Sequence, residues 1–176
     1  MKKTKEKITL REMTLFAMFA AIMLASKLLM ESLPNIHAIG MFTMLFTVVY
    51  RKRALIPLYI YIFLNGMLYG FPFWWIPYLY IWLVLWAITM LLPKNLSPRW
   101  ATIVYPVVCA LHGFSYGLLY APCQALMYNL HGDALWAWIV AGFYFDILHG
   151  IGNFFLGFLI FPLARILIKL EKNYEP

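Results

Sequence analysis

The chain has 176 residues, 64% of them hydrophobic and 12% charged, whereas soluble domains are about half apolar and about a quarter charged. A soluble fold of this size could not hide that much apolar surface, so residues 1–176 read as a single membrane domain with no room for a separate soluble one. The formal net charge of +7 would point to nucleic acid only if the basic residues formed a patch; they are dispersed, and no nucleic-acid partner is expected.

Breaks at Pro34-Asn35, Arg51-Lys52-Arg53, Gly70-Phe71-Pro72, the run from Pro93 to Arg99, and His131-Gly132-Asp133 divide the sequence into six apolar stretches. The expected fold is an all-α integral membrane protein with six transmembrane helices over about 10–32, 36–50, 54–69, 75–92, 101–130 and 140–170. The second and third stretches are shorter than the roughly 20 residues a helix needs to cross the hydrocarbon layer, and are expected to end in polar surroundings inside the protein. The basic start followed by an apolar run reads as a first span and not as a cleaved signal, because the run outlasts an ordinary signal core and another span follows within a few residues. Cys109 and Cys123, the only cysteines, would lie roughly 21 Å apart on one helix, too far to form a disulfide.

The basic residues set the orientation. With the N-terminus cytoplasmic, that side receives Lys2, Lys3, Lys5, Lys7, Arg11, Arg51, Lys52, Arg53, Lys94, Arg99, Arg165, Lys169 and Lys172, which leaves only Lys27, inside the first span. The three opposite connections hold no lysine or arginine. Both termini are therefore expected in the cytoplasm.

Ionisable side chains within a bilayer are costly and are functional candidates by default. In chain order these begin with Lys27 and Glu31, four apart on one helical face, either a neutralising pair or a wall of a ligand cavity. The outer connection from Tyr69 to Trp82, with Trp74, Trp75 and Tyr78, is rich in aromatics, as are Trp136, Trp138 and Tyr144 on the same side. An anchoring belt would account for them, and so would aromatic walls for a flat organic ligand. His112, Tyr116, Tyr120 and Gln124 recur at four-residue steps in the fifth span, where Pro122 removes a backbone donor and favours a kink in the outer third. The tyrosines fit helix packing, and Gln124 is the member better assigned to a ligand. In the sixth span Asp146, His149 and Asn153 share one face; they either bond one another and nearby backbone or line a polar pocket. A lone Asp-x-x-His supplies only two metal ligands, so no metal site is assigned. Ala17, Ala21 and Ala25 form a small-residue stripe on the first span that admits close helix approach.

The chain holds no Gly-rich phosphate loop, H-E-x-x-H or Gly-x-Ser-x-Gly motif, hence no ATP motor of its own. With its six spans, cytoplasmic ends, alanine stripe and aromatic outer connections, it resembles the substrate-binding (S) components of energy-coupling factor (ECF) transporters, the bacterial vitamin importers. The resemblance covers nearly the whole chain and is most specific in 145–154, Phe-Asp-Ile-Leu-His-Gly-Ile-Gly-Asn-Phe, and 74–82, Trp-Trp-Ile-Pro-Tyr-Leu-Tyr-Ile-Trp.

The resemblance implies a multi-pass protein of the bacterial cell membrane that captures a vitamin or related micronutrient from outside, without catalysis and without a cofactor. It implies docking of Ala17, Ala21 and Ala25 on a transmembrane coupling subunit energised by two ATPase subunits, and a toppling motion that releases the cargo. It also implies a ligand site near the outer face, which here would draw on Asn35 and His37, Trp74, Trp75 and Tyr78, Tyr120 and Gln124, and the region from Trp138 to Asp146. Cobalamin-like, flavin-like, folate-like and queuosine-precursor-like ligands all fit mostly neutral aromatic walls. Two other readings stand beside it: a small membrane enzyme using Asp146 and His149 as an acid/base or metal pair, which lacks an evident third partner, and a self-sufficient carrier, which would be expected to show paired broken helices in inverted halves.

Overall fold

A computed structural model of the chain describes residues 8–173; Lys2, Lys3, Lys5 and Lys7 lie outside the described residues. The described residues form eight α-helices, two short 3-10 turns and no strand. Helix α1 (Leu10–Leu29) starts at a capping box, in which Glu12 N–H donates to Thr9 Oγ1 at 3.2 Å and Thr9 N–H donates to Glu12 Oε2 at 2.9 Å. Both bonds satisfy donors that a helix start leaves unpaired.

Helix α2 (Ile39–Tyr50) is apolar all round, and eight of its twelve residues are buried. It touches α1 and the later helices α4, α5, α7 and α8. Enclosure by protein explains how so short a helix persists in an apolar fold, since its ends need not reach the lipid boundary. The chain then reverses through a 3-10 turn (Arg51–Ala54) into α3 (Leu55–Tyr69), which leans on α1. Arg51 adopts φ +53° there, an uncommon conformation for a side-chain-bearing residue. It lets the guanidinium Nη2 donate to the Met90 carbonyl at 2.6 Å, closing the last turn of α4 (Tyr78–Leu91) as a cation at a helix C-terminus should.

The last third of the chain pairs α5 (Pro98–Phe114) and α6 (Tyr116–Tyr128) with α7 (Gly132–Gly157), and α8 (Ile160–Lys172) returns to α2 and α5. Close approach of α5 and α7 depends on glycine: a Cβ on Gly113 would lie 2.8 Å from Gly150 Cα, and one on Gly157 would lie 2.5 Å from Pro106 Cα.

The fifth expected span corresponds to Pro98–Tyr128, interrupted at Ser115 between α5 and α6, while α6 runs on through Pro122; the sixth is corrected. The hydroxyl of Ser115 donates back to the His112 carbonyl at 3.0 Å, a local bond that competes with helix continuation. The sixth begins at Gly132 and not near 140, and it breaks between α7 and α8. Its early start follows from a tight reversal in which Asn129 closes α6 in the left-handed region and Gly132 takes φ +53°, so no linker is needed.

Four segments are long and apolar enough to cross a membrane: Leu10–Leu29, Phe73–Leu91, Pro98–Tyr128 and Gly132–Gly157. At 12 and 15 residues, α2 and α3 fall short of that length. The surface is strongly apolar, with Leu91 85% and Leu126 86% exposed, which suits lipid and not water. At one end of the bundle Arg11 Nη2 meets Glu171 Oε2 at 3.3 Å, the Tyr50 hydroxyl donates to Glu171 Oε1 at 3.0 Å, and Arg53 pairs with Glu12. Starts and ends of α1, α2 and α8 therefore meet at this basic end.

Candidate functional site

The opposite end of the bundle gathers the aromatics. The Tyr69 hydroxyl donates to Glu31 Oε1 at 3.0 Å, Tyr69 meets Trp74 edge-on at 6.4 Å, and Trp74 meets Tyr78 at 5.7 Å. The Tyr120 hydroxyl donates to the Trp74 carbonyl, and the Tyr120 ring stacks on Trp138 at 6.2 Å. Beneath this layer lies a cavity of about 300 Å³. Its mouth is formed by the end of α1 with Lys27 and Glu31 and by the following loop with Asn35; its depth is formed by His37, Tyr78, Tyr116 and His149.

The floor is a contiguous group of rings. The His149 ring lies 4.7 Å from both the His37 and the Tyr116 ring. Trp82, only 1% exposed, touches His37, Tyr78, His112 and Tyr116 at centroid distances of 5.5–6.2 Å. His112 Nε2 lies 3.1 Å from the Ile81 carbonyl and donates to it, which assigns the ring proton to that nitrogen. His37 Nδ1, His149 Nε2 and Trp82 Nε1 are sealed from solvent and have no hydrogen-bond partner. Each such group costs about 1–3 kcal/mol when left unpaired, so this floor carries its polar groups at the expense of stability. Burial, and secondarily the nearby Lys27 ammonium, push the pKa of His37, in the loop before α2, down from 6.5 to about 4; at neutral pH it is an uncharged imidazole.

Lys27 differs from the other basic side chains of the first helix. Its ammonium stands 5.6 Å from the Tyr69 ring centroid, and no carboxylate lies within ion-pair distance of it among the described residues. Glu31 is instead engaged by Tyr69. The cavity mouth thus offers a half-buried basic side chain whose Nζ lies near a ring face.

Of the residues singled out in the sequence, the structure brings Asn35, His37, Tyr78 and His149 together as cavity lining, and connects Trp74, Tyr120 and Trp138 to them through ring contacts. It places others elsewhere. Asp146 is buried with its Oδ1 accepting from Gly117 N–H at 3.0 Å, at the first turn of α6, where a carboxylate is favoured. Asn153 Nδ2 donates to the Cys109 carbonyl at 3.3 Å, tying α7 to α5. Trp75 Nε1 donates to the Ile62 carbonyl at 2.8 Å, and Gln124 is buried outside the lining. The shared inward face of Asp146, His149 and Asn153 is real, but only His149 reaches the cavity. Among the described residues no three His, Cys, Asp or Glu side chains are disposed to hold a metal ion.

Lys27, Glu31 and Tyr116 also line it, with Met30, Leu33, Pro34 and Ile36 as its apolar part. The four-residue row running from His112 carries the signal for Tyr116, because His112 and Tyr116 meet at 6.2 Å and Tyr116 and Tyr120 at 6.0 Å across the helix break. Ala17, Ala21 and Ala25 are exposed, on the face of α1 turned away from its buried Phe16, Phe19, Ala20 and Met23; they take no part in internal packing.

Comparison with family models, with curated proteins and with solved structures gave no match to this chain.

Proposed function

We propose that this chain is the substrate-binding (S) component of an ECF-type importer in the bacterial cell membrane, capturing a vitamin-like micronutrient at its outer face. In this reading the chain crosses the bilayer six times with both termini in the cytoplasm, and the basic end that joins Arg11, Arg53 and Glu171 faces the cytoplasm. The short α2 and α3 cross as part of a protein-enclosed bundle. The cavity lies at the other end, open to the ligand. The observation that carries the reading is the combination of that polar, end-facing cavity with an alanine stripe left uncovered on α1. A binder needs the first, and a binder that must dock to deliver its cargo needs the second.

The partners are then a transmembrane coupling subunit, received along Ala17, Ala21 and Ala25, and two ATPase subunits that supply the energy. The chain makes and breaks no bond. It binds, docks and releases, and the coupling module shifts it between states by binding them unequally. Against an enzymatic role, the Asp146 carboxylate that would pair with His149 is already taken up by Gly117 N–H.

Ala17→Leu and Ala21→Leu test this. Each should abolish uptake and co-purification with the coupling subunit, because bulk blocks close helix approach, while ligand affinity of the isolated protein stays unchanged. Uptake that survives both substitutions would overturn the docking role.

A further inference from the structure

Helix α8 carries a basic face that nothing among the described residues answers. Arg165, Lys169 and Lys172 recur at steps of four and three, which sets them on one side of the helix, opposite Ile160, Ala164 and Leu167, which pack inward. All three cations are exposed. The carboxylate of the same helix, Glu171, lies on the bundle side, engaged by Arg11 and by the Tyr50 hydroxyl. Among the described residues no carboxylate lies within ion-pair distance of Arg165, Lys169 or Lys172. Lys172 borders the same small cavity as Glu12 and Glu171, so Arg165 and Lys169 form the core of the face. A last-turn position suits Lys169 and Lys172 in itself, because cations are favoured at a helix C-terminus. Arg165 stands about two turns from that end and needs another reason. Its guanidinium Cζ lies 5.9 Å from the Phe161 ring centroid, one turn back, in the direction in which helical side chains lean. Exposed apolar side chains flank the cations, Ile168 on one side and Ile166 and Leu170 on the other. Cations and exposed apolar groups at one level suit the boundary between lipid headgroups and acyl chains, and not bulk water.

Resting on the six-span reading, which puts the end of α8 in the cytoplasm, we infer that this face binds an anionic phospholipid of the inner leaflet. The Arg165 guanidinium takes the phosphate, its paired N–H donors matching the phosphate oxygens. Lys169 and Lys172 face the remaining negative charge of the headgroup, and Ile166 and Leu170 meet the acyl chains. An acidic protein surface is the other partner that charge alone would admit. The placement of Arg165 disfavours it: the guanidinium leans away from the helix end and, in this reading, towards the bilayer, where a lipid phosphate reaches and a cytosolic protein does not.

Native mass spectrometry of the full chain in mild detergent, titrated with dioleoyl-phosphatidylglycerol or with dioleoyl-phosphatidylcholine, tests this. The first phosphatidylglycerol should bind about tenfold or more tighter than the first phosphatidylcholine, since each cation at a headgroup layer adds to the attraction. That preference should be lost when Arg165→Gln, Lys169→Gln and Lys172→Gln are combined. It should persist in Lys169→Arg with Lys172→Arg, and in Lys94→Gln with Arg99→Gln, which removes charge from the loop between α4 and α5. On the parent protein, whose folding no substitution disturbs, phosphatidylglycerol should raise the melting temperature above that in phosphatidylcholine, and the difference should shrink as salt rises from about 50 to about 500 mM. Equal binding of the two lipids, a preference that survives the triple glutamine variant or is lost equally in the Lys94 and Arg99 control, or a melting-temperature difference indifferent to salt would each overturn the inference. Loss of co-purifying coupling or ATPase subunits in the triple variant, with no lipid preference in the parent, would overturn it too and assign the face to a protein. A reporter fused after Lys172 reads the cytoplasmic placement separately, and uptake reads the docking role, so failure of either reading is distinguishable from failure of this one.

Discussion

Asp146 and His149 lie one turn apart on α7, yet their surroundings give them different tasks. Asp146 satisfies the first turn of α6, so Asp146→Ala should cost about 0.5–2 kcal/mol of stability, as removal of a helix cap does, without changing ligand affinity in the molecules that remain folded. Denaturant titration and a binding isotherm on the same preparation check both halves; lost affinity at unchanged stability would return this carboxylate to the ligand site. His37 yields a prediction in pH. Its imidazole takes up a proton at about pH 6.5 in the unfolded chain and only near 4 in the folded one, so between these values the unfolded state binds more protons and stability falls as pH falls. Thermal melts should therefore decline from pH 6.5 towards 4, and His37→Gln should flatten part of that decline. An identical slope in the variant would show that His37 is not held neutral. The inward row of Asp146, His149 and Asn153 is legible from spacing, because period and burial are enough to give it. Which partner each finds is not, since Asp146 meets Gly117 only because the preceding helix breaks at Ser115.

That break illustrates what is hidden at the scale of elements. Helix ends marked by proline, asparagine or glycine, such as Ser97-Pro98 and Asn129, can be read from the chain because these residues restrict or free the backbone in known ways. Ser115 carries no such mark, and its hydroxyl's bond to the His112 carbonyl is one of several conformations a serine adopts. The early start of α7 is hidden for a related reason: apolar content, which drew the expected span, is thin in the exposed first turn around Asp133. Packing between α5 and α7 gives a prediction here. Gly113→Val would place side-chain atoms against the backbone of Gly150, where even a single Cβ comes within 2.8 Å. It should destabilise by at least the ~1–3 kcal/mol typical of overpacking, read as an earlier midpoint in denaturant titration. Gly142→Ala, at a position with open space, should leave the midpoint unchanged or raise it slightly, as a helical Gly-to-Ala change does.

For the whole molecule, composition was enough to give an all-helical chain with segments long and apolar enough to cross a membrane, because hydrophobic length is a property of sequence alone. The ligand cavity was not, because it forms where the ends of α1, α4 and α6 and the middle of α7 converge, and convergence is a property of packing. Its aromatic rim was visible as a run of residues, and Lys27 with Glu31 as a pair that could face a cavity, but the Tyr69 hydroxyl that engages Glu31 was not. The central claim is that the chain binds its cargo but depends on a separate motor to move it. Reconstitution into liposomes tests that most directly, with a radiolabelled micronutrient that the purified chain binds. The chain alone should hold ligand in proportion to the protein present and accumulate none in the lumen, and accumulation should begin only when a coupling subunit, its two ATPases and ATP are added. Accumulation by the chain alone, or recovery of the ligand as a chemically altered product, would contradict the account.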